Sequence, residues 1–190
     1  VGPPQMNHFA ARLAHRVADH WRRQWRSHLG TLVLMGAAAW AVNAWQTRDL
    51  PHGPAPDFTV MLAGGETTTL HQWRAAHPGH PVALHFWADW CPICRTEEHS
   101  VTRVARDWPV LTIAMQSGDA AKVRGVLAQR NLPWTTAVDA QGRVAGAYGF
   151  KAVPAFVVVD AQGQLRGAAS GYTTEMGMRL RLWWAKVSAS

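Results

Sequence analysis

Pro81 to Ala88, P-V-A-L-H-F-W-A, is an eight-residue run with one polar side chain, His85, and it ends three positions before the chain's two cysteines, Cys91 and Cys94. Eight residues is strand length, and a strand apolar on both faces belongs inside a sheet that is covered on both sides. Beyond the cysteines, Val101, Val104, Ala105 and Trp108 recur at three- and four-residue steps, which predicts a helix from Pro92 to Asp107. A buried strand passing directly into a helix, with a C-x-x-C pair at the junction, constrains the fold more than any other feature of the chain.

The elements around it follow the same logic. D-F-T-V and E-T-T-T-L-H-Q-W flank Gly64-Gly65 and predict a short hairpin running into a helical turn at Leu70 to Arg74. V-L-T-I-A-M (Val110 to Met115) predicts a second buried strand, and Asp119 is a good N-cap for an amphipathic helix reaching Asn131. W-T-T-A-V-D and A-F-V-V-V-D-A-Q-G-Q-L-R-G-A-A predict the remaining strands, the second as a hairpin turning at Ala161 to Gln164. In the last helix Met176, Leu180, Trp183 and Val187 repeat at four, three and four, so this face is expected to pack on the core. Strands alternating with helices, then a hairpin and a helix, imply an α/β domain with a mixed sheet covered on both faces.

Length and charge bound the rest. The 190 residues allow one domain with an appendage, and a hydrophobic share of 48% with eleven Trp excludes a disordered chain. The net charge is +7, but residues 1–50 hold six Arg against Asp19 and Asp49, so +4 of it is N-terminal. The remaining 140 residues have no basic run interleaved with aromatics, which gives no sign of a nucleic-acid partner.

The N-terminal excess precedes L-G-T-L-V-L-M-G-A-A-A-W-A-V-N-A-W, seventeen uncharged residues at the short end for a membrane span of ~20. Trp21, Trp25, Trp40 and Trp45 sit at its ends as interfacial aromatics would, and five Arg lie before it. The leading expectation is a basic cytoplasmic segment over 1–28, a transmembrane anchor over 29–46 in the lipid bilayer, a Pro-rich linker over 47–56 and a folded domain over 57–190. A cleaved signal peptide and a buried core helix are the alternatives. Either leading reading delivers the domain to an oxidising compartment, the periplasm for a bacterial inner-membrane protein.

The cysteine pair has three candidate trades. Haem attachment reads C-x-x-C-H, and Arg95 stands at the His position. A structural zinc site wants four ligands; no second cysteine pair exists, His71, His77 and His80 fall in a predicted solvated loop, and His99 points away on the helix. No metal or other cofactor is therefore expected, although a copper-handling protein using the two thiols stays open. The redox reading has a positive argument. Cys91 at a helix N-terminus meets unsatisfied N–H groups and the helix dipole, which favour a thiolate, and Pro92 is at home in a first turn. Cys94, one turn in, is placed to attack a mixed disulfide formed on Cys91.

F-W-A-D-W-C-P-I-C after an apolar strand, with Val153-Pro154 some sixty residues later before another, resembles the thioredoxin superfamily. A-P-D-F-T-V, C-R-T-E and the segment W-T-T-A-V-D-A-Q-G-R-V-A-G-A-Y-G-F are similar to the membrane-anchored TlpA-like branch, and G-Y-T-T-E-M-G-M-R-L-R-L-W-W-A is nearest to its suppressor-of-copper-sensitivity D type. The likeness covers about residues 55 to 187. It implies a thioredoxin-like fold, Cys91 as attacking and Cys94 as resolving thiol, and a cis Pro154. It also implies a substrate-binding edge made by Trp90, Pro92, Val153 and Pro154, and a Glu97 that manages the proton of Cys94. Glu98 and Asp89 are expected to be solvated. His85 stands where thioredoxins carry a buried acid, and a lone His on a buried strand is more often a satisfied core residue. The resemblance further implies a reductant of periplasmic protein disulfides, recharged by a membrane electron transporter. Ile93 adds no cation or donor between the cysteines, so an oxidant is the alternative.

Overall fold

In the computed structural model the described residues are 25, 28–38, 40–42, 44 and 53–188. By contacts the chain divides into Val1–Trp45 and Gln46–Ser190. In the first unit residues 28–38 are helical and their side chains exposed. Among the described residues no helix is long and apolar enough to cross a membrane, so the expected spanning helix over 29–46 is not found there. Positions 39, 43, 45 and 46 of that segment lie outside the described residues, as do most of 1–28 and 47–52 of the expected linker.

The second unit holds the sheet. A hairpin of β1 (Thr59–Met61) and β2 (Thr67–Thr69) leads into α1 (Leu70–Ala75) through a capping box in which Thr69 and Gln72 satisfy each other's backbone N–H groups. Next come β3 (Val82–Trp87), α2 (Pro92–Asp107), β4 (Val110–Met115), α3 (Ala120–Gln129) and β5 (Thr136–Asp139). The chain finishes with α4 (Arg143–Ala147), β6 (Ala155–Val159), β7 (Leu165–Ser170) and α5 (Glu175–Ser188). The sheet order is β5-β4-β3-β6-β7, with β3, β4 and β5 parallel and β6 and β7 antiparallel to their neighbours. Every residue of β3, β4 and β6 is buried, as runs apolar on both faces require.

The pleat of β3 splits the core in two. Ala83 and Trp87 join a cluster with Cys91, Cys94, Val101, Val104, Met178 and Leu182, beneath α2 and α5. Val82, Leu84 and Phe86 join the opposite cluster with Leu70, Tyr148 and Phe150. The strand that leads to the cysteines is thus clamped from both sides.

Three expectations need correction here. Gly53 to Pro56 is not a free linker. The N–H of Ala55 donates to the Gly163 carbonyl at 2.8 Å, the N–H of Leu165 to Gly53 at 2.9 Å, and the Tyr148 hydroxyl to Pro56 at 2.7 Å. Prolines lack an N–H but keep their carbonyls, so a Pro-rich strip still pairs along one edge. The short α4 went unpredicted because V-A-G-A spans too little chain for a period to show.

The third concerns α5. Its packed residues are Met178, Leu182 and Ala185, not the predicted face. Met176, Leu180, Trp183 and Val187 are 74%, 58%, 52% and 45% exposed. Both stripes have helical spacing, and the narrower one meets α2 across the core. The two faces give opposite expectations. Leu182→Ala should lower stability by about 2–5 kcal/mol, whereas Leu180→Ala should stay within roughly 0.5 kcal/mol, both measured by urea unfolding.

Candidate functional site: a disulfide at a helix N-terminus

β3 ends at Trp87, and the turn that follows is held by the end of β4. The N–H of Asp89 donates to Ser117 Oγ at 3.0 Å, and Trp90 Nε1 donates to the Gln116 carbonyl at 3.1 Å. Gln116 takes a positive φ of 50°, which turns the chain after β4 so that its carbonyl is offered to the indole. Neither partner was legible in sequence, because both come from a loop more than twenty residues away.

Cys91 is the N-cap of α2, with extended backbone, and Pro92 opens the helix. The N–H of Cys94 points at Cys91 Sγ, 3.2 Å away. A sulfur there replaces the hydroxyl or carboxylate of an ordinary cap, receiving one of the four N–H groups that a helix start leaves unpaired. Cys91 and Cys94 form a disulfide, with Cα atoms 5.4 Å apart. Both residues are buried, while Trp90, Pro92 and Ile93 are exposed beside them.

On the other side of the disulfide stands the Val153-Pro154 bond, which is cis. It places the Val153 carbonyl oxygen 3.6 Å from Cys91 Sγ. The N–H of Gly171 donates to the Pro154 carbonyl at 2.8 Å, so the connector from β7 to α5 is tied to this loop. The same connector reaches below the disulfide, where the Thr173 N–H donates to Glu97 Oε1. Gly171 and Thr173 are therefore structural members of the site through their backbones. Sequence reasoning missed them, since a backbone donor leaves no side-chain signature.

Glu97 is 1% exposed and shares the inward face of α2 with Cys94, Val101 and Val104. Burial pushes its carboxyl up to about 7, and the Thr173 N–H pulls the other way. Glu98 is not solvated as expected: it is half-buried and pairs with Arg130 at 2.9 Å. Asp89 likewise pairs with Lys122 at 2.8 Å and is mostly buried. For Asp89 desolvation acts upward, but the Lys122 and Ser117 hydrogen bonds outweigh it and the carboxyl falls below its ordinary value.

His85 lies on β3 itself, two residues before the strand's end, fully buried between Trp134 and Phe156, with ring centroids 6.1 and 6.5 Å away. Neither ring nitrogen has a hydrogen-bond partner, so it is a core residue but not a satisfied one. Beside it on β4 is Thr112, whose hydroxyl meets that of Thr136 on β5 at 2.7 Å. Burial drives the imidazole down to about 3, which keeps it neutral. Among the described residues no three His, Cys, Asp or Glu gather as metal ligands.

A disulfide capping a helix, a facing cis-proline and a sheet ordered β5-β4-β3-β6-β7 define a thioredoxin-like α/β protein. Residues 51–168 match the AhpC/TSA family, and the chain belongs to it. It is 28% identical over 130 residues to a thioredoxin-like protein of Haemophilus influenzae, covering 68% of this chain and 75% of that one. It is 28% identical over 131 residues to the thiol:disulfide interchange protein DsbE of Xylella fastidiosa, covering 65% and 66%. A solved structure of a secreted Mycobacterium tuberculosis disulfide oxidoreductase homologous to E. coli DsbE aligns with TM-score 0.53 at 27% identity, over 70% of this chain and 96% of that one. The chain thus spans three quarters of the first relative's length and just under two thirds of the second's.

Buried Glu97 and His85 make opposite demands on stability. Glu97, with its folded value raised from 4.5 to about 7, loses stabilisation as pH rises through that window. His85, lowered from 6.5 to about 3, loses it as pH falls through 6.5 towards 3. Between 4.5 and 6.5 the slopes oppose each other, so wild-type stability should change little there from these two groups. Glu97→Gln should leave a protein that weakens as pH falls from 6.5, and His85→Leu one that weakens as pH rises from 4.5, read as urea midpoints across pH.

Proposed function

We propose that this chain is a thiol:disulfide oxidoreductase that exchanges the Cys91–Cys94 disulfide with cysteines of other proteins, acting as a reductant in an extracytoplasmic compartment. The observation that carries the reading is the disulfide at the N-terminus of α2 facing the cis Val153-Pro154 bond. Relatives named as thiol:disulfide interchange proteins and secreted oxidoreductases support the activity and the compartment.

The chemistry runs from the reduced form. The Cys91 thiolate attacks a substrate disulfide, forming a Cys91–substrate bond while the substrate S–S bond breaks and one thiolate leaves. Trp90, Pro92 and Val153-Pro154 frame the approach, and the Val153 carbonyl offers the substrate backbone an acceptor beside the sulfur. Glu97, one helical turn below Cys94, takes the Cys94 proton in its ionised form. The Cys94 thiolate then attacks Cys91 Sγ, the mixed disulfide breaks, and the second substrate thiol departs. Two electrons pass to the substrate, and a membrane electron transporter with a dithiol of its own returns them. Tethering by the N-terminal segment would hold the domain near such a donor.

Direction rests on what surrounds Cys91. Pro92 and Ile93 are exposed and bring neither a cation nor a donor to the sulfur, so the thiolate lacks the extra stabilisation of a strong oxidant.

Cys94→Ser should accumulate a mixed disulfide through Cys91 with a protein substrate, and Cys91→Ser should abolish reduction of a protein disulfide such as insulin's. Absence of any trapped adduct, with Cys91→Ser as active as wild type, would sink the reading. Alkylation of rapidly quenched cells checks direction: the pair should be mostly reduced, and an almost wholly oxidised pair would instead mark an oxidant.

A further inference from the structure

The outer face of α5 is the feature that the thiol chemistry leaves unused. Met178, Leu182 and Ala185 bind the helix to the core. Residues two positions apart lie on opposite sides of an α-helix, so Leu180 and Trp184 point away from Leu182, joined by Met176, Trp183 and Val187. All five are 45–74% exposed. Together they offer on the order of 600 Å² of apolar surface, the upper end of what a soluble monomer shows in one patch.

The rim of this face is basic. Arg179, Arg181 and Lys186 belong to α5 itself, and Arg103 stands on the neighbouring helix α2, bonded to Glu175 of α5. The acids among them are Asp107 and Glu175, four cations to two carboxylates. Glu175 is held between Arg103 at 2.6 Å and Arg179 at 2.9 Å, and Asp107 accepts from Arg179 at 2.7 Å, so both acids are already matched. Lys186 lies 5.9 Å over the Trp108 ring, keeping a cation at the far end of the patch.

We propose that this face of α5 docks on an anionic lipid surface. Two arguments select that occupant. A second copy of the chain would bury less than the ~800 Å² per partner of a stable interface, and the patch is smaller than that. An aromatic and aliphatic strip edged by Arg and Lys also matches, in charge and chemistry, a helix lying in the headgroup region. Leu180, Met176 and Val187 enter the acyl boundary, the Trp183 and Trp184 indoles sit at headgroup level, and the cations meet phosphate. No complementary protein shape is needed for this, and α5 stays fixed to the domain by its other face.

Amide hydrogen exchange on the full chain tests the proposal, followed peptide by peptide with three samples: vesicles of phosphatidylcholine and phosphatidylglycerol, vesicles of phosphatidylcholine alone, and no lipid. Residues 176–187 should exchange roughly tenfold more slowly on the phosphatidylglycerol vesicles. Combining Leu180→Gln, Trp183→Gln and Trp184→Gln should remove that slowing while reduction of a small disulfide proceeds at the wild-type rate. Unchanged exchange on the anionic vesicles overturns the proposal, as does equal slowing on phosphatidylcholine alone. Slowing without lipid that grows with protein concentration overturns it in favour of a second copy; concentration-independent slowing without lipid overturns it in favour of another segment of this chain.

Discussion

The contact on which the site depends is the backbone N–H of Cys94 directed at Cys91 Sγ, 3.2 Å apart. It is a helix cap, with sulfur as the acceptor. Everything needed to hold it is built elsewhere: β3 buried on both faces, Pro92 opening α2, and the loop after β4 gripping Asp89 and Trp90. Because capping and chemistry use the same atom, the helix start that the fold requires is also a place where negative charge on sulfur is stabilised. Exposed Trp90 and Ile93 then leave the disulfide accessible at one edge while the sulfurs themselves stay buried.

Beneath that cap the domain keeps two ionisable groups that a purely apolar core would not hold. Glu97 is tied through the Thr173 N–H to the connector that, two residues earlier, binds the Pro154 carbonyl through Gly171. Carboxyl, cis-proline loop and start of α5 therefore form one linked unit around the cysteines. His85 has no such tether, and its neutral ring with two unpartnered nitrogens marks a site where stability is given up. The pair leaves the domain with compensating acid and base sensitivities instead of a single titration.

The core of this arrangement was legible because it is local. A buried strand, a C-x-x-C pair and an amphipathic helix occur within thirty residues, and each has its own period. Glu97 was visible for the same reason, one turn after Cys94. Long-range partners were not: Glu98 and Asp89 look like surface acids until Arg130, just after α3, and Lys122, on it, come back to meet them. The α5 stripe shows another limit. Met176, Leu180, Trp183 and Val187 have as good a helical spacing as Met178, Leu182 and Ala185, and only the shape of the core decides which face enters it. Pro51 to Pro56 reads as a spacer by composition, yet its later half is bonded to the β6–β7 turn by backbone groups that composition does not describe.

The most direct measurement of the central claim is the pKa of Cys91 in the reduced protein, followed as thiolate absorbance across pH, with Cys94→Ser to assign it. A sulfur that caps a helix should titrate clearly below the ordinary thiol value of about 8.5. A Cys91 that titrates at or above that value would contradict the account, since the cap would then give no stabilisation to the charge on which the exchange depends.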